Sequence, residues 1–309
     1  MSKREEGVSR REFVQRAALA AAGAALASTG AVAQGNPGKP AAPPPPASAA
    51  ERPARAKVVL VRDKAAVGAD GAVNAAVVGR MLDDAVCALT GAGKPADAWA
   101  RYFGPKDVAG IKTNVWKFLA TPPELEGALR QRVAACGVQG SLPVTDRGAR
   151  AELIPCNALL NVRPVRTHHW AGVGGCLKNY IMFVEQPSDY HPDSCANLGA
   201  IWNLPSVKGK TRLNVLVALT PQFYGRGPHA FDPRNVWTYG GLFVSTDPVA
   251  VDALGAELLR LKRLEFFGED KPITPWTHIA LADTKHGIGV ADPKRIDLVR
   301  IGWEEKVLL

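Results

Sequence analysis

In this chain of 309 residues, what is missing narrows the chemistry first. There are five cysteines, Cys87, Cys136, Cys156, Cys176 and Cys195, and no two of them form a C-x-x-C pair. A ferredoxin-type cysteine run is also missing, so no iron–sulfur cluster is held by this chain alone. Cys87 and Cys136 fall in apolar helical patterns and read as core thiols, which proteins commonly bury. No G-x-S-x-G elbow occurs, which argues against a hydrolase built on that turn. The G-x-G-x-x-G fingerprint of a dinucleotide site is lacking too, its nearest approach being Gly172-Val173-Gly174-Gly175. Beyond the N-terminus no apolar stretch is long enough to cross a bilayer, so no stable membrane span is expected. Lysine and arginine outnumber aspartate and glutamate by 38 to 29, yet they form no long block. A dispersed excess of this kind fits a small anionic ligand or a solvated surface and gives no sign of nucleic-acid binding.

What is present begins at the N-terminus. Ser9-Arg10-Arg11-Glu12-Phe13 sets paired arginines before a large apolar residue, and an Ala-rich run follows to Ala31-Val32-Ala33. A charged lead, a modest apolar centre and a small-residue exit make a removable signal, here of the twin-arginine kind. Residues 1–33 are therefore expected to direct export by the twin-arginine translocase and to place the protein in the periplasm or otherwise outside the cytoplasm. Residues 34–56 carry Pro43-Pro44-Pro45-Pro46 among small residues and read as an extended linker with almost nothing to bury.

From residue 57 to 309 strand and helix patterns alternate. Residues 57–61, 108–113, 142–145, 158–165, 213–219, 241–245 and 296–301 read as strands. Apolar residues at helical spacing over 74–89 predict a helix stopped by Thr90-Gly91. Thr121 is expected to cap a second helix with Pro122 in its first turn, and Asp247 a third over 249–261. A further helix is expected to start near Thr274-Pro275-Trp276. Helices between apolar strands predict one large α/β domain, a mostly parallel or mixed sheet with helices on both faces.

The chemistry concentrates in Arg166-Thr167-His168-His169-Trp170-Ala171-Gly172-Val173-Gly174-Gly175-Cys176-Leu177-Lys178-Asn179. This segment follows a strand, and open α/β sheets bind ligands at the carboxyl ends of their strands. Gly172, Gly174 and Gly175 allow close backbone approach to an anion, and Arg166 and Lys178 add positive charge. His168 and His169 can move protons or bind a metal. Downstream, His191-Pro192-Asp193-Ser194-Cys195 offers imidazole, carboxylate and thiol. With His168, His169 and Cys176, it supplies the ligand types of a transition-metal site, although the spacing matches no established metal motif. His229 follows a Gly-Pro loop. His278 and His286 read as structural, and Lys285-His286-Gly287 as a second glycine loop or a helix terminator.

Together with Gly110-Ile111-Lys112-Thr113-Asn114, Asp146-Arg147-Gly148 and Ser245-Thr246-Asp247-Pro248-Val249-Ala250-Val251-Asp252, this segment resembles the domain-of-unknown-function 362 family from about Lys57 onward. The resemblance carries Lys112, Asn114, Asp146, His168, Lys178, Asn179, Asp247 and Asp252 over as candidate site residues. It implies a redox or metal setting, because many members carry ferredoxin-like modules or twin-arginine signals. Arg166 stands where lysine is common, and Thr220-Pro221 where an aspartate–glycine pair is often found. The ferredoxin module is absent, which leaves a redox partner subunit as one way of supplying a cofactor.

Two readings follow. In the first, an exported enzyme or redox-associated protein binds a small anionic substrate, with His168 as proton carrier or ligand and Lys178 as charge stabiliser or covalent anchor. In the second, a non-catalytic periplasmic protein holds a metal or an anionic metabolite at the same place. Turnover needs a proton donor or acceptor within reach of the ligand, whereas binding needs only complementary charge.

Overall fold

The computed structural model describes residues 54–226 and 231–309. The twin-arginine segment, nearly all of the linker and His229 lie outside the described residues.

An eight-stranded mixed sheet forms the centre of the domain. Its strands are β1 (Ala56–Arg62), β2 (Ala109–Lys112), β3 (Val144–Thr145), β4 (Ala158–His168), β5 (Gly172–Gly174), β6 (Thr211–Gln222), β7 (Gly241–Ser245) and β8 (Ile296–Gly302). Across the sheet the order is β3-β2-β4-β6-β7-β1-β8, and β5 folds back on β4. The strands β3, β2, β4 and β6 run parallel to one another, and β1 runs parallel to β8. Only β7 and the short β5 pair antiparallel.

Helices cover both faces, as the alternation of strand and helix patterns predicted. On one face lie α1 (Ala75–Thr90), α2 (Pro95–Trp99) and α3 (Pro123–Ala135), packed on Val59, Val61, Ile111, Leu160 and Val215. On the other lie α4 (Cys176–Asn179), α5 (Leu198–Trp202), α6 (Pro248–Phe267) and α7 (Thr277–Thr284), against Val58, Leu60, Leu159, Leu216 and Phe243. Successive strand residues point to opposite faces, so Val58 to Val61 feed the two cores in turn. Both cores are apolar and fully buried, which is why these strands read as unbroken hydrophobic runs.

Helix ends follow their local chemistry. Asn74 accepts the Ala76 and Val77 N–H groups at the start of α1, and Gly91, at φ 71°, closes it. Asp247 accepts the Val249 and Ala250 N–H groups and caps α6, which continues six residues past the expected end, to Phe267. Gly287, at φ 63°, bonds back to the Asp283 carbonyl, so the Lys285-His286-Gly287 loop terminates α7. Thr121 departs from expectation. It caps no helix; α3 starts after Pro122 without a side-chain cap. Instead the Thr121 N–H donates to the Asn114 carbonyl at 2.8 Å, and the Asn114 N–H donates to Thr121 Oγ1 at 3.3 Å. That reciprocal pair closes the loop leaving β2.

The sheet order fixes where a ligand can lie. From β2 the chain moves outward to β3, and from β4 it moves the other way to β6. Adjacent parallel strands whose connections diverge leave a crevice beyond their carboxyl ends, the topological switch point. Here that crevice opens past Lys112 and past the far half of β4.

A cationic cavity at the switch point

A cavity of about 430 Å³ occupies this crevice. It is lined by Asn114, Asp146, Arg147, Arg163, Arg166, His168, Lys178 and Asn179 among others. Residues from the loop after β2, the turn after β3, β4 and α4 are thereby brought together, although they are spread along the sequence from Asn114 to Asn179.

Lys112 is fully buried at the end of β2, and its ammonium donates to Asp146 Oδ1 at 2.5 Å and to the Thr113 carbonyl at 2.7 Å. Burial pushes this amine down to about 8 in spite of Asp146. For Asp146 burial acts in the raising direction, but Lys112 and the Val115 N–H outweigh it and hold the carboxyl below the usual carboxylate range. Both oxygens of Asp146 are therefore engaged, one by Lys112 and one by Val115. The pair positions the β2 loop, and its two charges largely cancel.

Asn179 holds the crevice together. Its Nδ2 donates to Asn161 Oδ1 at 2.8 Å and to the carbonyls of Val162 and Lys112 at 3.1 and 3.2 Å, and its Oδ1 accepts from Lys112 at 3.3 Å. One amide thus ties β2, β4 and α4 at a single point. The helix carrying it is fixed from elsewhere. Asp252, fully buried in α6, accepts the Cys176 N–H at 2.6 Å and the Leu177 N–H at 2.8 Å. Burial pushes the Asp252 carboxyl up to about 7 against those two bonds and the attraction of Arg163. It is the N-terminal cap of α4, supplied by a distant helix.

Three buried cations remain without a carboxylate bonded to them, while Arg147, also in the lining, is exposed. Lys178 is buried and donates to Cys195 Sγ at 3.6 Å; burial above all, and then Arg163, lower its amine to about 8. Arg166 donates to Asn114 Oδ1 at 3.2 Å and lies 4.4 Å over the Trp116 ring. Burial and the neighbouring Arg163 push it down, yet a guanidinium stays charged in proteins. Arg163 is 4% exposed, and its Nε is buried with no hydrogen-bond partner among the described residues. Asp146 and Asp252 attract it only through space. Gly174 gives it room, since a Cβ there would come within 3.1 Å of its Nη2.

The histidines and glycines play other parts than expected. His168 Nδ1 accepts the Trp170 and Ala171 N–H groups at 3.2 and 3.4 Å, which leaves the proton on Nε2. Burial and then Lys178, Arg163 and Arg166 push its pKa down and favour the neutral ring. Gly172, Gly174 and Gly175 do not form an open anion loop. Gly172 to Gly174 pair with β4, and a Cβ on Gly172 or Gly175 would strike the Thr274 carbonyl or the Asp252 carboxylate. Their smallness serves packing.

The five expected metal ligands do not gather. His168 stacks on His169 at 4.8 Å, His191 packs on Trp170 at 3.9 Å, and Cys195 faces Lys178. Cys176 is fully buried at the start of α4, its thiol pushed well up by burial and Asp252. Among the described residues no three His, Cys, Asp or Glu side chains are grouped to hold a metal ion.

Sequence reasoning passed over Arg163, Arg147, Trp116, Asn161 and Asn214. Arg163 did leave a signal: a charged residue inside the apolar run of β4, where unpaired charge is rarely buried.

Fold and cavity together define an α/β protein with a cationic site at its switch point. Residues 143–257 match the model of the family described as Domain of unknown function (DUF362). The match takes in Asp146, His168, Lys178, Asn179, Asp247 and Asp252, while Lys112 and Asn114 precede it. No curated protein and no solved structure matches the chain.

The Asp252 cap generates a prediction. Asp252→Asn keeps one acceptor and sets an NH2 group against a backbone N–H, so unfolding free energy should fall by about 1–3 kcal/mol in a denaturant titration. An unchanged midpoint would show that α4 does not depend on this carboxylate.

Proposed function

We propose that this protein binds a small anionic ligand in the switch-point cavity. The observation that carries the reading is Arg163, a guanidinium buried beside Arg166 and Lys178 with no carboxylate bonded to it. A buried charge is costly unless paired and hydrogen-bonded. Lys112 has its pair in Asp146; the other three buried cations do not, and an anion between them would supply what the chain does not. The donors of Asn114 and His168 add neutral hydrogen bonds at the same place.

A second reading, turnover of the bound anion, is favoured by Lys178 alone. Its amine is held near 8, so a fraction is neutral at ordinary pH and can accept a proton or attack a carbonyl. The exported setting of the N-terminal segment belongs to the same proposal, supported by Arg10-Arg11, the Ala-rich run and Ala31-Val32-Ala33.

Arg163→Met tests the anion site directly. Phosphate, sulfate and citrate at millimolar concentration should raise the unfolding midpoint of the natural protein and leave that of the variant unmoved. Without ligand the variant should unfold at or above the natural midpoint, because an apolar side chain replaces an unpaired buried charge. A natural protein indifferent to all three anions sinks the reading.

The pH dependence has a definite sign. Lys178 attracts an anion only when protonated, so affinity should fall as pH rises from about 7 to 9 through its value near 8. Lys178→Met should flatten that decline measured by calorimetry; an equally steep decline in the variant would assign it elsewhere.

For export, Arg10→Lys with Arg11→Lys should retain the full-length precursor in the cytoplasm of an exporting host. Undiminished appearance of the processed chain outside would refute the twin-arginine route.

A further inference from the structure

We infer that the ligand is an organic anion whose charged head is joined to a flat apolar body; this rests on the anion reading above. A bare inorganic anion can meet the cations but leaves most of the cavity and its apolar lining unused. The cavity's volume, about 430 Å³, lies in the range of sites that take small organic molecules. Besides the cations, its lining includes Val115, Trp116, Trp170, Ile181, Met182 and Pro187.

Exposure at the mouth points the same way. The large hydrophobic side chains left exposed among the described residues are Val108, Val115, Phe118, Trp170 and Phe266, and three of these stand at this rim. Val115 and Trp170 line the cavity, at 51% and 46% exposed, and Phe118 packs on Trp116 with ring centroids 5.2 Å apart. Scattered apolar side chains are ordinary on a protein surface, but a group of them edging a polar cavity marks a binding site. The rings are packed against further rings. Trp116 also meets Phe231 at 5.8 Å, Phe118 stacks on Phe231 at 4.8 Å, and Trp170 leans on His191 at 3.9 Å. Little side-chain freedom is left to lose when a flat group settles on them.

Head and body sites are continuous. Arg166 faces the cavity with its guanidinium while that same group lies over the Trp116 ring. A ligand whose negative charge reaches Arg163, Arg166 and Lys178 therefore carries its next atoms past aromatic faces. Planar apolar groups are the ones such faces hold best.

Calorimetry with two matched pairs tests this: methyl phosphate against phenyl phosphate, and succinate against phthalate. In whichever pair binds, the aryl member should bind about tenfold more tightly, the gain expected from burying one face of a ring. Trp170→Ala, at an exposed position, should shrink that advantage to about twofold. Equal affinity within each pair overturns the inference while leaving the anion site standing, and so does an aryl advantage that survives both Trp170→Ala and Trp116→Ala. If no member of either pair binds, the anion reading falls and this one falls with it.

Discussion

Everything in this domain that bears on its site hangs from a row of polar side chains buried across the sheet. Lys112 is in register with Asn161, Asn161 with Asn214, and Asn214 with Ser245. All four are buried. Asn161 donates to Asn214 Oδ1 at 3.0 Å, Asn214 to the Thr246 carbonyl at 3.2 Å, and Ser245 to the Lys57 carbonyl at 2.7 Å. A buried amide without partners costs about 1–3 kcal/mol, so a chain of satisfied ones is strongly selective for the register that satisfies it. Sliding any of these strands by one residue would turn its polar group into the opposite apolar core. Asn179 plugs into the end of this row, and through it the placement of Lys178 is tied to the alignment of four strands.

The segment from Ser245 to Asp252 shows how two carboxylates five positions apart can do one kind of work in two places. Asp247 caps its own helix and also accepts the Val290 N–H at 2.9 Å. Asp252 caps a helix 75 positions earlier in the chain. The first role was legible because an aspartate before a proline-initiated apolar helix satisfies donors next to it in sequence. The second was not. A carboxylate inside a helix near its N-terminus has a sufficient local explanation in the dipole, and nothing local reveals that its true partners are Cys176 and Leu177.

The same division between local and remote causes runs through the rest of the molecule. The apolar runs of β1, β4, β6 and β7, the Asn74–Gly91 limits of α1 and the two-faced packing follow from patterns within a dozen residues. Thr121 misled because its flanking residues satisfy a helix-start rule, while its hydroxyl is claimed by Asn114 across a loop. The glycines misled for a related reason. Gly172, Gly174 and Gly175 have the composition of an anion loop, yet what decides their role is the backbone of Thr274, the guanidinium of Arg163 and the carboxylate of Asp252. Convergence of Lys112, Asn114, Asp146, Lys178 and Asn179 depends on strand order, and strand order is not written in any one segment.

Electrostatics explains why a framework this rigid is needed. Arg163, Arg166 and Lys178 share a poorly solvated crevice, and each is pushed toward its neutral form by burial; Arg163 adds to this at Arg166, and both arginines add to it at Lys178. Left to relax, such a cluster would swing its side chains outward into water, where the repulsion is screened. Two contacts oppose this: Trp116 under Arg166 and Cys195 against Lys178. Cys195 itself is presented from a turn in which Asp193, Ser194 and Cys195 all adopt left-handed backbone angles, φ 51°, 57° and 63°. Non-glycine residues rarely hold that conformation, and three in succession persist only where the surrounding packing enforces them. Strain of this kind concentrates at functional sites, and here it sits behind the lysine with the lowered amine. The fold thus holds three like charges close together in poorly solvated surroundings, and the anion proposed above would offset their repulsion where the chain itself provides no bonded carboxylate.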